Sequence, residues 1–429
     1  MNRRALVGSL FAIPAGAVEF GAPKLPAAAL AEREPEKYWN RVRAEQFLLP
    51  KWRAFMNNGS LGVAPRPVLT AVADFLAAGA SMNMPEGEYP RWGYEPLDAH
   101  REEVAAYLGC GRDELAFTHN ATEALSTIAA GVDLSAGDEV LMTDQEHPSG
   151  KAGWQVRQAR HGVSVREVAI PLPAKDPGQV ADVVVSGIGP RTRVLFFSAV
   201  TTTTGLVMPV REICDAARAK GVITVVDGAH LNGQVAARIS DLGCDYYAGS
   251  PHKWMFAPAG CGILWGRPEM LERLWPTIVT GGWERKEKGA ARFMLVGTNS
   301  RAIFEGMRAG VRFANAIGPG RIYGRAHELA AAVRQRAAGL PYLEVLTPDD
   351  DRMYGALVSV NLAGVEPAKF FQVCARRKVW VMKSRRFRIS THIHTRRADI
   401  DLLFDCLAEA YAGVSARSTR VIQNGPAGD

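Results

Sequence analysis

Asp227 closes the run Thr224-Val225-Val226-Asp227, and Lys253 follows the run Tyr246-Tyr247-Ala248 within Ser250-Pro251-His252-Lys253-Trp254. A carboxylate at the end of a buried strand is poorly hydrated and needs a cationic or protonated partner. A lysine flanked by apolar residues has its pKa drawn down, which makes its amine a nucleophile. A third segment, His119-Asn120-Ala121-Thr122-Glu123-Ala124, has the form of a strand-to-helix junction. Backbone N–H groups and a hydroxyl at such a junction attract an anion such as phosphate. Phosphate cradle, strand-end carboxylate and apolar-flanked lysine together suit pyridoxal phosphate. The lysine would form a Schiff base, and the carboxylate would keep the pyridine nitrogen protonated so that the ring accepts electrons from a bond at Cα.

The surrounding pattern places these residues where such chemistry belongs. Candidate strands at Leu115–Phe117, Val140–Met142, Val165–Ala169, Val194–Phe197, Val222–Val226, Tyr246–Ala248 and Gly262–Trp265 alternate with helical stretches such as Pro148–His161, Gln179–Gly187 and Val210–Lys220. That alternation implies an α/β fold with a mostly parallel sheet, in which ligands bind at the carboxyl ends of the strands. Beyond Thr298 long helices (Arg301–Ala316, Arg321–Ala338) precede a mixed segment with strands near Leu357–Asn361 and Val379–Met382. We expect a large cofactor-binding domain over 66–298 and a smaller C-terminal α+β domain over 299–415. An N-terminal arm over 32–65 joins the small domain, and 416–429 form a flexible tail.

Composition narrows the function. The 429 residues are 47% apolar, with 51 Lys+Arg against 44 Asp+Glu and a net charge of +7. The densest basic cluster, Lys383 to Arg388, is too short for a nucleic-acid surface. No stretch of 18 apolar residues could span a bilayer, and the six cysteines form no Cys-x-x-Cys pair. Arg3-Arg4, the weakly apolar run Ala5–Phe20 and the small residues Ala27–Ala31 have the layout of a twin-arginine signal peptide over 1–31, cut after Ala31. Such a leader implies a periplasmic or exported protein that loads its cofactor before crossing the membrane; if the segment is only an amino-terminal tail, the protein would be cytoplasmic.

Seven motifs carry a family resemblance: Phe55-Met56-Asn57-Asn58-Gly59-Ser60-Leu61-Gly62, Asn120–Ala124, Asp144-Gln145-Glu146-His147-Pro148, Asp227-Gly228-Ala229-His230, Ser250–Trp254, Gly297-Thr298 and Arg388-Ile389-Ser390. In this order, from about Tyr38 to Leu407, they resemble the class V aminotransferase family of pyridoxal-phosphate enzymes, and most closely its isopenicillin N epimerase-like branch. The resemblance implies the aspartate aminotransferase-like fold (fold type I) and a homodimer. Lys253 would be the Schiff-base lysine and move protons at Cα, Asp227 would pair with the pyridine nitrogen, and His147 would stack on the ring. His230 and Thr202 would lie near the phenolic oxygen. Ala121, Thr122, Ser250 and His252 would hold the phosphate, and Thr298 would reach the phosphate of the neighbouring subunit. Arg388 would grip the substrate carboxylate, with Asn58 also at the substrate.

The chain departs from the family pattern at Ala199, where many relatives have His, at Thr202, where desulfurases have Asn, and at His394-Thr395, where Tyr-Asn is common. Arg385 and Arg386 rival Arg388, and strand alternation puts Arg386 and Arg388 on one face. His392-x-His394 reads as alternation on a strand, with no third metal ligand nearby. Cys374 reads as a core residue of a helix, which disfavours persulfide chemistry. The expectation is an epimerase- or aminotransferase-like enzyme that labilises a Cα bond of an amino acid or amino-acid-bearing metabolite. A β-eliminating C–S lyase is the alternative, and a cysteine desulfurase stands behind both.

Overall fold

The computed structural model describes residues 23–81, 97–382 and 386–423, with side chains through 412. The twin-arginine pair and Lys383–Arg385 lie outside the described residues, as do the last six positions of the expected tail. In chain order the first strands are β1 (Ala54–Phe55), β2 (Leu115–Thr118), β3 (Glu139–Thr143), β4 (Ser164–Val168), β5 (Thr192–Ser198) and β6 (Ile223–Asp227). They are followed by β7 (Tyr246–Gly249), β8 (Gly262–Gly266), β9 (Leu343–Val345), β10 (Leu357–Leu362), β11 (Val379–Trp380) and β12 (Arg386–Ser390).

Seven of these form one sheet in the order β2-β8-β7-β6-β5-β3-β4. Its central strands are largely apolar runs rich in β-branched and aromatic residues, buried on both faces by helices, as parallel strands require. The steps β2–β8 and β8–β7 are antiparallel and the rest parallel. Two antiparallel steps leave β2 running the same way as β7. Thr143, Ser198, Asp227, Gly249 and the residues after Thr118 therefore all emerge at one edge. Register aligns that edge closely: Ser198 pairs with Asp227, and Asp227 with Ala248.

The second sheet, β12-β10-β9, is antiparallel and packs against the helices Pro319–Ala338, Pro367–Arg376 and Arg397–Gln423. β1 pairs in parallel with β11, and Asn57 bridges Ser390, so the arm joins this second core. β11 is shorter than the expected Val379–Met382, because β1 offers only two residues for pairing. The last helix continues past Ser415 to Gln423. At the other end, the helix Ala28–Arg33 contains Ala31, and Leu25, Leu30 and Ala31 pack beside Tyr38 and Trp39. No described helix is long and apolar enough to cross a membrane.

Candidate active site

Between the sheet edge, the arm and β12 lies a cavity of about 520 Å³. Ten of the twelve expected site residues line it: Ala121, Thr122, His147, Thr202, Asp227, His230, Ser250, His252, Lys253 and Arg388. Asn58 and Thr298 do not.

Lys253 sits on the short helix Pro251–Trp254 that follows β7. The arm clamps this turn. Gly62 N–H donates to the His252 carbonyl at 2.9 Å, and Asn58 Nδ2 donates to the Lys253 carbonyl at 2.7 Å. A Cβ on Gly62 would stand 2.1 Å from that carbonyl oxygen, so no side chain fits there. Lys253 Nζ lies 3.0 Å from His230 Nε2, and Trp254 Nε1 donates to His230 Nδ1 at 3.3 Å. An indole N–H only donates, so His230 Nδ1 is the bare nitrogen and Nε2 carries the proton. Lys253 Nζ must then accept, which requires the neutral amine. Burial pushes both groups the same way: His230 is held well below its ordinary value and Lys253 falls to about 8, with Asp227 opposing the lysine shift.

Asp227 ends β6. Its Oδ1 accepts from Ala229 N–H at 2.9 Å. Gly150 leaves room beside Oδ2, since a Cβ there would meet it at 3.6 Å and the Phe196 ring at 2.6 Å. Burial raises the Asp227 pKa, against the Ala229 N–H and Lys253. His147 caps the helix Pro148–His161 through Nδ1, which accepts from Ser149 N–H at 3.2 Å, and its ring borders the cavity.

The helix Ala121–Gly131 begins at the same edge. Asn120 caps it by accepting from Glu123 N–H at 2.9 Å, and Ala121 N–H donates to Ser250 Oγ at 3.2 Å. His252 Nδ1 meets the Cys261 carbonyl at 2.8 Å and must donate to it. Its Nε2 therefore offers a proton to an anion only in the imidazolium form.

On the opposite wall Arg388 Nη1 donates to Thr202 Oγ1 at 2.6 Å, and Nη2 donates to Ser60 Oγ at 2.7 Å and Asn57 Oδ1 at 3.4 Å. Its buried Nε has no partner. Burial lowers its pKa to about 10. Thr202, expected at a phenolic oxygen, thus holds the guanidinium. Arg386 also lines the cavity, on the same side of β12 as Arg388.

Three expectations need correction or restatement. Asn58 does not face the substrate space: it is buried, and its Oδ1 lies 3.1 Å from His394 Nε2 while Nδ2 holds Lys253. It positions the lysine turn. Thr298 is exposed and outside the cavity of its own chain. His392 and His394 lie in the turn after β12, not on it, and are bonded to the Trp254 carbonyl and to Asn58. No group of residues suited to a metal occurs among the described residues. Ser60, Glu146, Ser198 and Thr203 also belong to the site or its floor. Ser60 and Glu146 lay inside recognised motifs, but nothing in their local pattern set them apart.

The donor set fits a phosphorylated pyridine: N–H groups and Ser250 at one end, the open Oδ2 of Asp227 at another, and a free amine between them. Residues 61–402 match the family described as aminotransferase class-V. The chain belongs to the class V aminotransferase family. Among curated relatives, isopenicillin N epimerase of Streptomyces clavuligerus is 33% identical over 401 residues, 86% of this chain and 97% of the relative. The Amycolatopsis lactamdurans isopenicillin N epimerase is 34% identical over 397 residues, 86% and 98% of the two chains. A solved structure of a C-DES variant, with glycine covalently linked to its PLP cofactor, superposes with a TM-score of 0.74 at 25% identity, covering 82% of this chain and 96% of that one. This class V protein is accordingly a pyridoxal-phosphate enzyme of fold type I. Lys253, Asp227 and the Ala121–Ser250 corner are the residues that would hold the cofactor.

Proposed function

We propose that the protein labilises a bond at Cα of an amino acid or amino-acid-bearing metabolite, with epimerase- or aminotransferase-like outcome. The observation that carries this reading is the shared cavity of Lys253, whose amine accepts from His230, and Arg388, whose guanidinium faces it with no carboxylate partner among the described residues. The bound cofactor supplies an electron sink for the pair of electrons left at Cα. Arg388 orients the substrate carboxylate through two parallel N–H contacts. Lys253 Nζ, which lines the cavity beside His230, would take the Cα proton and return it. His230, buried and neutral, keeps that nitrogen a base. His147, whose ring borders the cavity, would stack on the cofactor ring.

None of the six cysteines lines the cavity, and those at 110, 214, 261 and 374 have thiols pushed up by burial or a neighbouring thiol, which favours this reading over desulfuration. β-Elimination is the second reading, supported by structural similarity to the cystine C–S lyase C-DES at a TM-score of 0.73 and 25% identity. Incubating holoenzyme with L- and D-amino acids in deuterated water separates them. Deuterium at Cα with the skeleton intact, or a keto acid, supports the first reading; pyruvate and ammonia from S-substituted cysteines replace it with the second.

We extend the proposal to a homodimer in which the exposed Thr298 reaches the partner's cavity, and to export through the amino-terminal leader. Sedimentation and cell fractionation test these. A monomeric holoenzyme, or a full-length cytoplasmic product, removes the respective claim.

A further inference from the structure

The loop after β3 carries a carboxyl that no step above uses. Glu146 is fully enclosed beside the site. Its Oε1 accepts from Thr143 Oγ1 at 2.5 Å and its Oε2 accepts from Ser198 Oγ at 2.6 Å. Thr143 ends β3, and Ser198 ends β5 in register with Asp227 on β6. Two carboxyls thus lie at one sheet edge, Asp227 facing the cavity and Glu146 behind it. The acidic neighbour that bears on Glu146 is Asp227, and Asp227 is in turn faced by Lys253 and His147. No cation lies within ion-pair distance of Glu146 among the described residues. A carboxyl buried without a cation is costly to ionise, so two hydroxyl donors and no counter-ion make an odd choice for a purely structural role.

We propose that Glu146 is a positioning residue whose charge, acting through Asp227, sets how strongly the site holds the ring nitrogen of the cofactor. Burial and Asp227 lift its pKa to about 7, against the two hydroxyls, so it changes charge in the working range. A positive ring nitrogen beside Asp227 adds an attractive charge and lowers that pKa in the loaded protein. A group whose pKa falls on binding strengthens binding as pH rises, from its loaded value up to about 7. Each unit of that fall corresponds to about tenfold in affinity.

The test is titration of the apoprotein with pyridoxal phosphate, followed by absorbance, from pH 5.5 to 8.5. Ionisations of the cofactor, of Lys253 and of His147 are common to all variants and cancel in ratios. For Glu146→Gln the dissociation constant should match the parent at the acid end and exceed it by about tenfold at the alkaline end per unit of pKa fall. Thr143→Val removes one donor to the carboxylate, so the pH at which the parent's affinity rises should move upward. A ratio that stays constant over the whole range overturns the proposal, even if affinity is uniformly weaker. Should Glu146→Gln not fold, Thr143→Val decides: an unmoved or lowered midpoint overturns it. The reading rests on the cofactor and not on the reaction at Cα, so an unexpected product leaves it standing.

Discussion

Replacing Arg388 by Met should separate function from stability. The guanidinium is buried and, among the described residues, makes hydrogen bonds only to Thr202, Ser60 and Asn57 and leaves Nε unpaired. Burial lowers its pKa from the ordinary arginine range to about 10, which opposes folding by roughly 3 kcal/mol. The sign follows from linkage. A base with a depressed folded pKa carries its full penalty below that pKa, hence at every physiological pH, and loses it only as pH rises from about 10 toward the ordinary arginine value. Removing the charge should leave the ligand-free melting temperature unchanged or raise it by about a few degrees. Substrate loses two charge-assisted hydrogen bonds, together roughly 3–5 kcal/mol, or about 10² to 10⁴ in affinity. The assay is spectral titration of holoenzyme with an L-amino acid and with the matching amine that lacks the carboxylate, beside thermal unfolding of apoprotein. Equal weakening for both ligands, or a variant that melts well below the parent, refutes the reasoning.

Three further outcomes follow from the geometry. The rate at which apoprotein attaches pyridoxal phosphate should rise with pH to a midpoint near 8 and then level off, because the neutral form of Lys253 grows in over that range; a stopped-flow midpoint near 10.5, the ordinary lysine value, contradicts this. Asn58→Ala should destabilise the protein by about 1–3 kcal/mol, since it strands two buried partners, with KM little changed; a raised KM at unchanged stability returns Asn58 to the substrate. Gly62→Ala should weaken cofactor retention about tenfold or more, because the added carbon meets the Lys253 carbonyl at 2.1 Å; dialysis that removes no extra cofactor shows the clamp to be slack.

Much of this site is legible in the sequence, for a physical reason. Strands buried on both faces are uninterrupted apolar runs, and a charged residue at the end of such a run, as at Asp227, marks the sheet edge where ligands bind. Lys253 and Asn120 stand out in the same way. Side chains whose partners come from distant segments do not. Asn58 lies in a recognised motif, yet its direction is fixed by Lys253 and His394, far along the chain. Glu146 reads locally as one more acidic residue beside Asp144, and only the hydroxyls of β3 and β5 reveal that it is enclosed. His392 and His394 keep a spacing of two, which alternation explains equally well on a strand or in a tight turn. Tertiary pairing decides between them.

The most direct test of the account is borohydride reduction of the holoenzyme followed by peptide mapping. Reduction fixes the cofactor to whichever amine bears it. The account predicts a single phosphopyridoxyl group on Lys253, in the peptide that contains Ser250-Pro251-His252-Lys253. A label on another lysine, or none, contradicts it.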